Sequence, residues 1–476
     1  MIGTLLCLSF LGGPGQPAEK PGLDEAVRAY FLAKSAEQRQ AAEKRILATP
    51  GITAQKLEAA IRRAKLWRKQ PVGVYELSVR LRGAEAAELA VWVSVPKNYD
   101  PARRWPLLIA LHGANGRAEE MLRTAREALG ELAEQFIIAA PQDIGRLGLT
   151  QPVDLVARPR ELVCSLRRQF HLDNDRVFLL GYSLGSHNAW VTAIMHADLF
   201  AGLIALASPL QVVAGDTLYE ELLQNVRHVA VLFCWGAQDT LGRDGQPDPG
   251  GGNAAGNRRM TAVINALGFR HFEAVEIADA GHEGIKPPPD RLAALLGFRR
   301  ERLPSRVRHV FRLPDQSDAY WVSTDRLLGE PLPDGRLRIP IAAGEDPRAA
   351  ERKWLIGRLG MIEAQCQGQT LRLNARRCGH VTVLISEQML DLREPVTVFR
   401  NKKKLYEGLI QPDLRVMLTE AAKTWDFERL YVARLVVPIG GKVKFGYPPL
   451  PGRASTADPS RPEAAGKSAA KKPSQR

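Results

Sequence analysis

A serine stands in Gly181-Tyr182-Ser183-Leu184-Gly185, directly after the apolar run Val177-Phe178-Leu179-Leu180. A serine hydroxyl attacks a carbonyl carbon only when a base removes its proton. Gly-x-Ser-x-Gly between a strand and a helix is the turn that holds such a hydroxyl exposed at the top of a sheet. In a chain with 41 glycines the five residues alone say little. Their weight comes from the strand-like run before them and the helix-compatible stretch 188–196 after. The plainer alternative is an N-cap serine.

On this kind of turn the acid and the base follow the serine in the chain, each on the loop after a later strand. The run 228–233 leads into Cys234-Trp235-Gly236-Ala237-Gln238-Asp239, and 272–277 leads into Ala278-Asp279-Ala280-Gly281-His282-Glu283. His282 is thus the expected base and Asp239 its orienting carboxylate. Asp239 also suits an ordinary turn, which leaves Asp244, Asp248 and Asp279 as substitutes. His271 precedes its strand, at the wrong end, and His112 precedes the serine, so His112 is assigned a structural role. The developing oxyanion needs two backbone N–H donors. Leu184 supplies one, and Ala114, in the loop His112-Gly113-Ala114-Asn115-Gly116, the other. Tyr182 and Trp235 are candidates for lining a substrate pocket, Trp190 for packing, and 242–256 reads as an insertion beside the acid. A covalent acyl-enzyme built this way needs neither metal nor organic cofactor.

The elements that must carry these groups follow from the pattern. Segments 74–81 and 88–96 alternate like an antiparallel pair at a sheet edge. Leu107-Leu108-Ile109-Ala110-Leu111 is continuously apolar, as in a parallel strand covered on both faces. Strands at 136–140, 177–180, 202–206, 228–233 and 272–277 alternate with helices at 118–134, 154–170 and 257–267. The fold class is therefore α/β, a doubly wound and mostly parallel sheet, over 73–301. Before it, 19–72 reads as two helices, the second capped by Thr53, docking on the catalytic region. After it, 302–448 holds short β-rich runs, among them 319–324, 337–341, 361–366 and 370–374, with one helix at 413–423. That region is expected to be a separate, sandwich-like β domain.

The composition, 45% hydrophobic and 25% charged, is that of a globular chain. The net charge of +14 is scattered, with no aromatic-interleaved basic stripe, which argues against specific nucleic-acid binding. Part of it lies in 449–476, where Arg453, Arg461, Lys467, Lys471, Lys472 and Arg476 face only Asp458 and Glu463. This tail is poor in large apolar residues and is expected to be disordered, with weak affinity for polyanions. The apolar start suits a signal-peptide core over 1–18, although it lacks a basic leading region, so export to the periplasm or medium is the expectation. It is too short for a permanent membrane span, and the chain is not expected to be an integral membrane protein. Cys164 and Cys234 read as core thiols. Cys366 and Cys378 flank a hairpin and are candidates to pair in an exported protein.

Four motifs together carry a resemblance. Residues 106–113, 175–190, 235–239 and 279–283 resemble the corresponding stretches of the α/β-hydrolase superfamily, above all polyhydroxybutyrate-depolymerase-like and feruloyl-esterase-like carboxylesterases and prolyl-oligopeptidase-like hydrolases. The likeness spans about 74–298. It departs from the family at Ser186, where many relatives have a further glycine. It implies a serine hydrolase acting on esters, with peptides as the second substrate class and a non-catalytic binding protein on the same scaffold as a third reading.

Overall fold

The structure, a computed structural model, describes residues 22–81, 88–148, 150–151, 153–211, 217–242, 246–335, 337–438 and 442–446. The expected signal segment, the basic tail and Asp244 lie outside them. Three helices open the chain: α1 (Leu23–Leu32), α2 (Ala36–Leu47) and α3 (Ala54–Arg63). Ser35 and Thr53 cap the second and third by accepting from Gln38 and Lys56 amides. Then come β1 (Gly73–Arg80), β2 (Glu88–Val95), β3 (Trp105–Leu111), α4 (Ala118–Leu129), β4 (Ile137–Pro141), α5 (Val153–Gln169) and β5 (Leu172–Tyr182). The region continues through α6 (Leu184–Met195), β6 (Gly202–Leu206), α7 (Tyr219–Leu222), β7 (Ala230–Gly236), α8 (Gly252–Ala266), β8 (Phe272–Ile277) and α9 (Pro289–Leu296).

These strands form one sheet in the order β1-β2-β4-β3-β5-β6-β7-β8. β2 runs antiparallel to both neighbours, and β4 through β8 are parallel. This is the α/β-hydrolase arrangement. Burial follows position: every residue of β3, β6 and β7 is buried, whereas edge strand β1 mostly alternates. From β3 the chain steps to β4 on one side and then to β5 on the other. The crevice at that reversal, at the carboxyl ends of β3 and β5, is where an open sheet places its ligand.

The carboxyl-terminal region has two sheets. β9 (Arg306–Phe311), β11 (Gly360–Gln367), β12 (Thr370–Arg376), β14 (Val396–Arg400) and β15 (Lys403–Gly408) form one, in the order β15-β14-β12-β11-β9. β10 (Val322–Ser323), β13 (His380–Ile385), β16 (Ala433–Pro438) and β17 (Lys444–Phe445) form the other. Two helices accompany them, α10 (Pro347–Ile356) and α11 (Leu414–Thr424). The expected strand at 337–341 is absent, since Pro340 interrupts it and Ile341 is exposed. Cys366 and Cys378 are both free thiols. Cys366 faces Leu371 across the hairpin, while Cys378 lies beyond the far end of β12, so the expected pair does not form.

Two contacts organise the whole. The initial helices pack chiefly on α11, Trp425 and Phe427 of the carboxyl-terminal region rather than on the catalytic sheet. The segment after α3 touches the sheet's surroundings through Trp67, stacked on His171 at 3.8 Å. The cores of the two large regions are continuous, with Trp190 and Phe233 in the same cluster as Val310, Ile362 and Val383. Between them lies a buried ion cluster. Arg300 grips Asp426 with both terminal nitrogens (2.7 and 3.1 Å), and Arg429 and Arg160 share Asp198 (2.7 and 2.9 Å). Arg302 donates to Asp175 on β5 at 2.8 Å. Burial would push Asp198 and Asp426 up, but the surrounding guanidinium groups hold both well below the ordinary carboxylate value.

Candidate active site

Ser183 sits at the turn between β5 and α6 with φ 53° and ψ −119°, a strained conformation for a residue with a side chain. Its amide donates to Leu206 O at 2.9 Å, which ties the turn to the end of β6. The flanking glycines are steric necessities: a Cβ on Gly181 would stand 2.1 Å from Gly185 O, and one on Gly185 would stand 2.0 Å from Leu111 O. The next position tolerates serine because Ser186 is fully buried and its hydroxyl donates to Ser208 O at 2.7 Å.

The loops after β7 and β8 bring the other two groups to this serine. They are joined by Gln238 N donating to Ala280 O at 3.0 Å and Ala237 N to Ile277 O at 2.9 Å. His282 Nδ1 stands 2.7 Å from Asp239 Oδ2, and His282 Nε2 stands 2.9 Å from Ser183 Oγ. With Nδ1–H donating to the carboxylate, Nε2 is left as the acceptor for the serine hydroxyl. The Asp239 carboxylate is buried, and its Oδ1 also accepts the Leu241 amide at 3.1 Å. The hydrogen bond to Asp239 raises the His282 pKa above its ordinary 6.5, against a downward push from burial.

The remaining candidates separate cleanly. Asp248 closes its own turn by accepting the Gly250 amide, and Asp279 is exposed. His271 lies against Phe298 at the other end of β8. His112 bridges the carbonyls of Gln142 (2.6 Å) and Gly113 (2.8 Å), which fixes the loop carrying Ala114. Tyr182 donates to His282 O at 2.7 Å and to Glu283 at 3.1 Å, and burial with the Glu283 charge raises its pKa. It therefore braces the histidine loop as well as lining a cavity. Trp235 is a correction: it is buried in the core against Phe233, ring centres 5.0 Å apart, because β7 is covered on both faces.

Sequence reasoning missed Asn253. Its amide nitrogen lies 3.3–3.4 Å from both Asp239 oxygens and 3.4 Å from His282 Nδ1. It also gave no role to His187, which stands near the serine in sequence, or to Asn188; both face the loop after β4. His187 Nε2 meets Leu147 O at 2.8 Å, while Asn188 donates to Gly145 O and accepts from Leu147 N.

That loop walls a cavity of ≈200 Å³ whose lining includes both Ala114 and Leu184, with Leu111, Pro141 and Ile144 as its apolar part. A second cavity, of ≈320 Å³, shares His112 with the first and runs between Tyr182, Met121, Leu206, Ile285 and Pro287. Among the described residues no helix is long and apolar enough to cross a membrane.

No family model matches the chain. A protein of Nocardia uniformis subsp. tsuyamanensis named "Putative esterase NocK" is 32% identical over 117 residues, 22% of this chain. The match covers a third of that relative's length. Solved structures with a similar fold include a thermostable esterase (TM-score 0.37, 15% identity, 48% of this chain and 63% of that one). Others are an acetyl xylan esterase from Aspergillus awamori (0.35, 14%, 47% and 99%) and dipeptidyl peptidase 4 of Porphyromonas gingivalis (0.34, 16%, 50% and 36%).

Proposed function

We propose that the chain is a serine hydrolase that cleaves carboxylic esters through an acyl-enzyme. The observation that carries this reading is the unbroken relay from Asp239 through His282 to Ser183, at 2.7 and 2.9 Å, ending on a strained, half-buried turn. His282 takes the serine proton as Oγ attacks the ester carbonyl, and Asp239 holds the resulting imidazolium. The tetrahedral oxyanion is stabilised by the amides of Leu184 and Ala114. His282 then gives its proton to the departing alkoxide, and the alcohol leaves. Water repeats the attack on the acyl-serine with the same histidine as base, which releases the acid and restores the enzyme.

The cavity beside the two amides is small, ≈200 Å³, which suits a short acyl group. The purified protein is expected to hydrolyse p-nitrophenyl acetate faster than the octanoate, to leave the p-nitroanilides of amino acids nearly untouched, and to take up a fluorophosphonate probe at Ser183. A protein that resists the probe is no serine hydrolase, and one that prefers the anilides is a peptidase.

A further inference from the structure

Buried arginines in this protein generally meet carboxylates, as Arg160, Arg300, Arg312 and Arg429 do. A different set gathers at the end of the sheet opposite the triad, where β7 and β8 begin. A cavity of ≈360 Å³ there is lined by Arg227, Arg270, Arg299 and Arg306, with His228 and His271. Arg299 is held by Asp173 at 3.0 Å, and the lining carboxylate, Glu301, is engaged by His228 at 2.8 Å. Among the described residues, Arg227, Arg270 and Arg306 form no ion pair.

Arg306 also lines a second concave surface, of ≈540 Å³, on the five-stranded sheet. Arg372, Lys402, Gln365, Asn374 and Asn401 share that surface. Its carboxylate, Glu363, is taken by Arg308 at 3.1 Å. The two hollows therefore adjoin at Arg306 and together form a basic groove that runs from the catalytic region to the carboxyl-terminal one. Like charges collected on one face repel, and an anion relieves that repulsion. Guanidinium forks match carboxylate and sulfate groups, and the interspersed amides match hydroxyls. Binding of single-stranded nucleic acid calls instead for open aromatic faces, whereas the Phe399 ring is covered by the Arg372 guanidinium at 4.7 Å, Phe298 is met by the His271 ring at 4.8 Å and Phe269 packs against the core.

We infer that the joined groove binds an anionic polysaccharide, one bearing uronate or sulfate groups, at a site separate from the triad. The seven residues of β7 put the two about 20 Å apart. Binding there is independent of the ester-cleaving reading: it holds whether or not Ser183 is a nucleophile.

The test compares the full chain with Arg270→Glu/Arg306→Glu and with Lys467→Gln/Lys471→Gln/Lys472→Gln. Affinity electrophoresis would use polygalacturonate, heparin, neutral dextran and single-stranded DNA. Circular dichroism and p-nitrophenyl acetate turnover serve as controls of integrity. The expected result is retention by the two acidic glycans but not dextran, weakened at least tenfold by the arginine changes and little by the lysine changes, with turnover unaltered. Retention lost only with the tail lysines, unchanged by the arginine substitutions, or stronger on DNA than on the acidic glycans would overturn the inference. If the double variant does not fold, Lys402→Glu on the groove's other arm is read the same way.

Discussion

Two regions of this molecule bury aspartate carboxylates at opposite ends of the same strand. At the carboxyl end of β5, Asp239 reaches Ser183 through a histidine ring. At the amino end, Asp175 belongs with Asp198 and Asp426 to a cluster closed by arginines. The burial is alike, but the partners differ. A guanidinium stays charged at every working pH, so its pairs act as fixed fastenings. An imidazole changes charge near neutrality, so its pair serves a proton that comes and goes. A buried carboxylate thus serves cohesion or chemistry according to whether its partner can titrate.

Substitutions can break that contrast in either direction. Ser183→Ala is expected to lower kcat on p-nitrophenyl acetate on the order of 10⁶-fold while leaving the denaturant midpoint in place. Asp239→Asn should lower kcat about 10⁴-fold, because the amide favours the wrong imidazole tautomer. Asp426→Asn should do the opposite, destabilising by about 3–5 kcal/mol in urea unfolding because Arg300 loses its buried counter-charge. Equal effects of the two aspartate changes on stability would erase the distinction between the regions. Asn253→Ala removes only a long hydrogen bond to Asp239 and is expected to reduce kcat about tenfold, roughly 1.4 kcal/mol.

pH separates the regions most finely. His282 has a raised folded pKa, so the stabilisation from its charged pair with Asp239 is complete below 6.5 and fades as pH rises through the folded value. Activity needs the neutral ring and should rise over that same interval, with a midpoint above 6.5 in a kcat/KM profile. Asp198 and Asp426 have lowered values, so their stabilisation is complete above 3.8 and is lost only as pH falls beneath it. Unfolding midpoints measured from about pH 1 to about pH 9 should resolve both windows.

Much of the sheet was legible because its central strands are apolar runs bounded by turns, and chain order with the strand ends pointed to His282 and to Asp239, with Asp244, Asp248 and Asp279 left open as substitutes. Asn253 was not. Gly-Asn-Ala-Ala-Gly over 252–256 reads as loop, and the helix starts there because Ala254 N donates to Asp239 O at 2.8 Å, a tertiary contact. Trp235 was misplaced because the strand was read as ending at 233, whereas β7 runs to Gly236 and carries Trp235 within a strand buried along its whole length. α10 did carry a start signal, Asp346 before Pro347, with the aspartate accepting from Ala349 N. The interregional ion cluster left no local trace, since its cross-regional pairs, Asp175 with Arg302, Arg300 with Asp426 and Asp198 with Arg429, each join residues more than a hundred positions apart.

That distance bears on how the chain is made. Asn174, on the strand that ends in the candidate nucleophile, donates to Glu428, 254 residues downstream. Asp198 draws one of its two arginines from the same late stretch. While a ribosome is still completing β9 through β15, the sheet behind Ser183 has emerged, but the charges that close its amino end have not. The amino end of the strand that leads to the serine is thus closed by residues translated more than two hundred positions after it, and the carboxyl-terminal region shares one continuous core with the catalytic sheet.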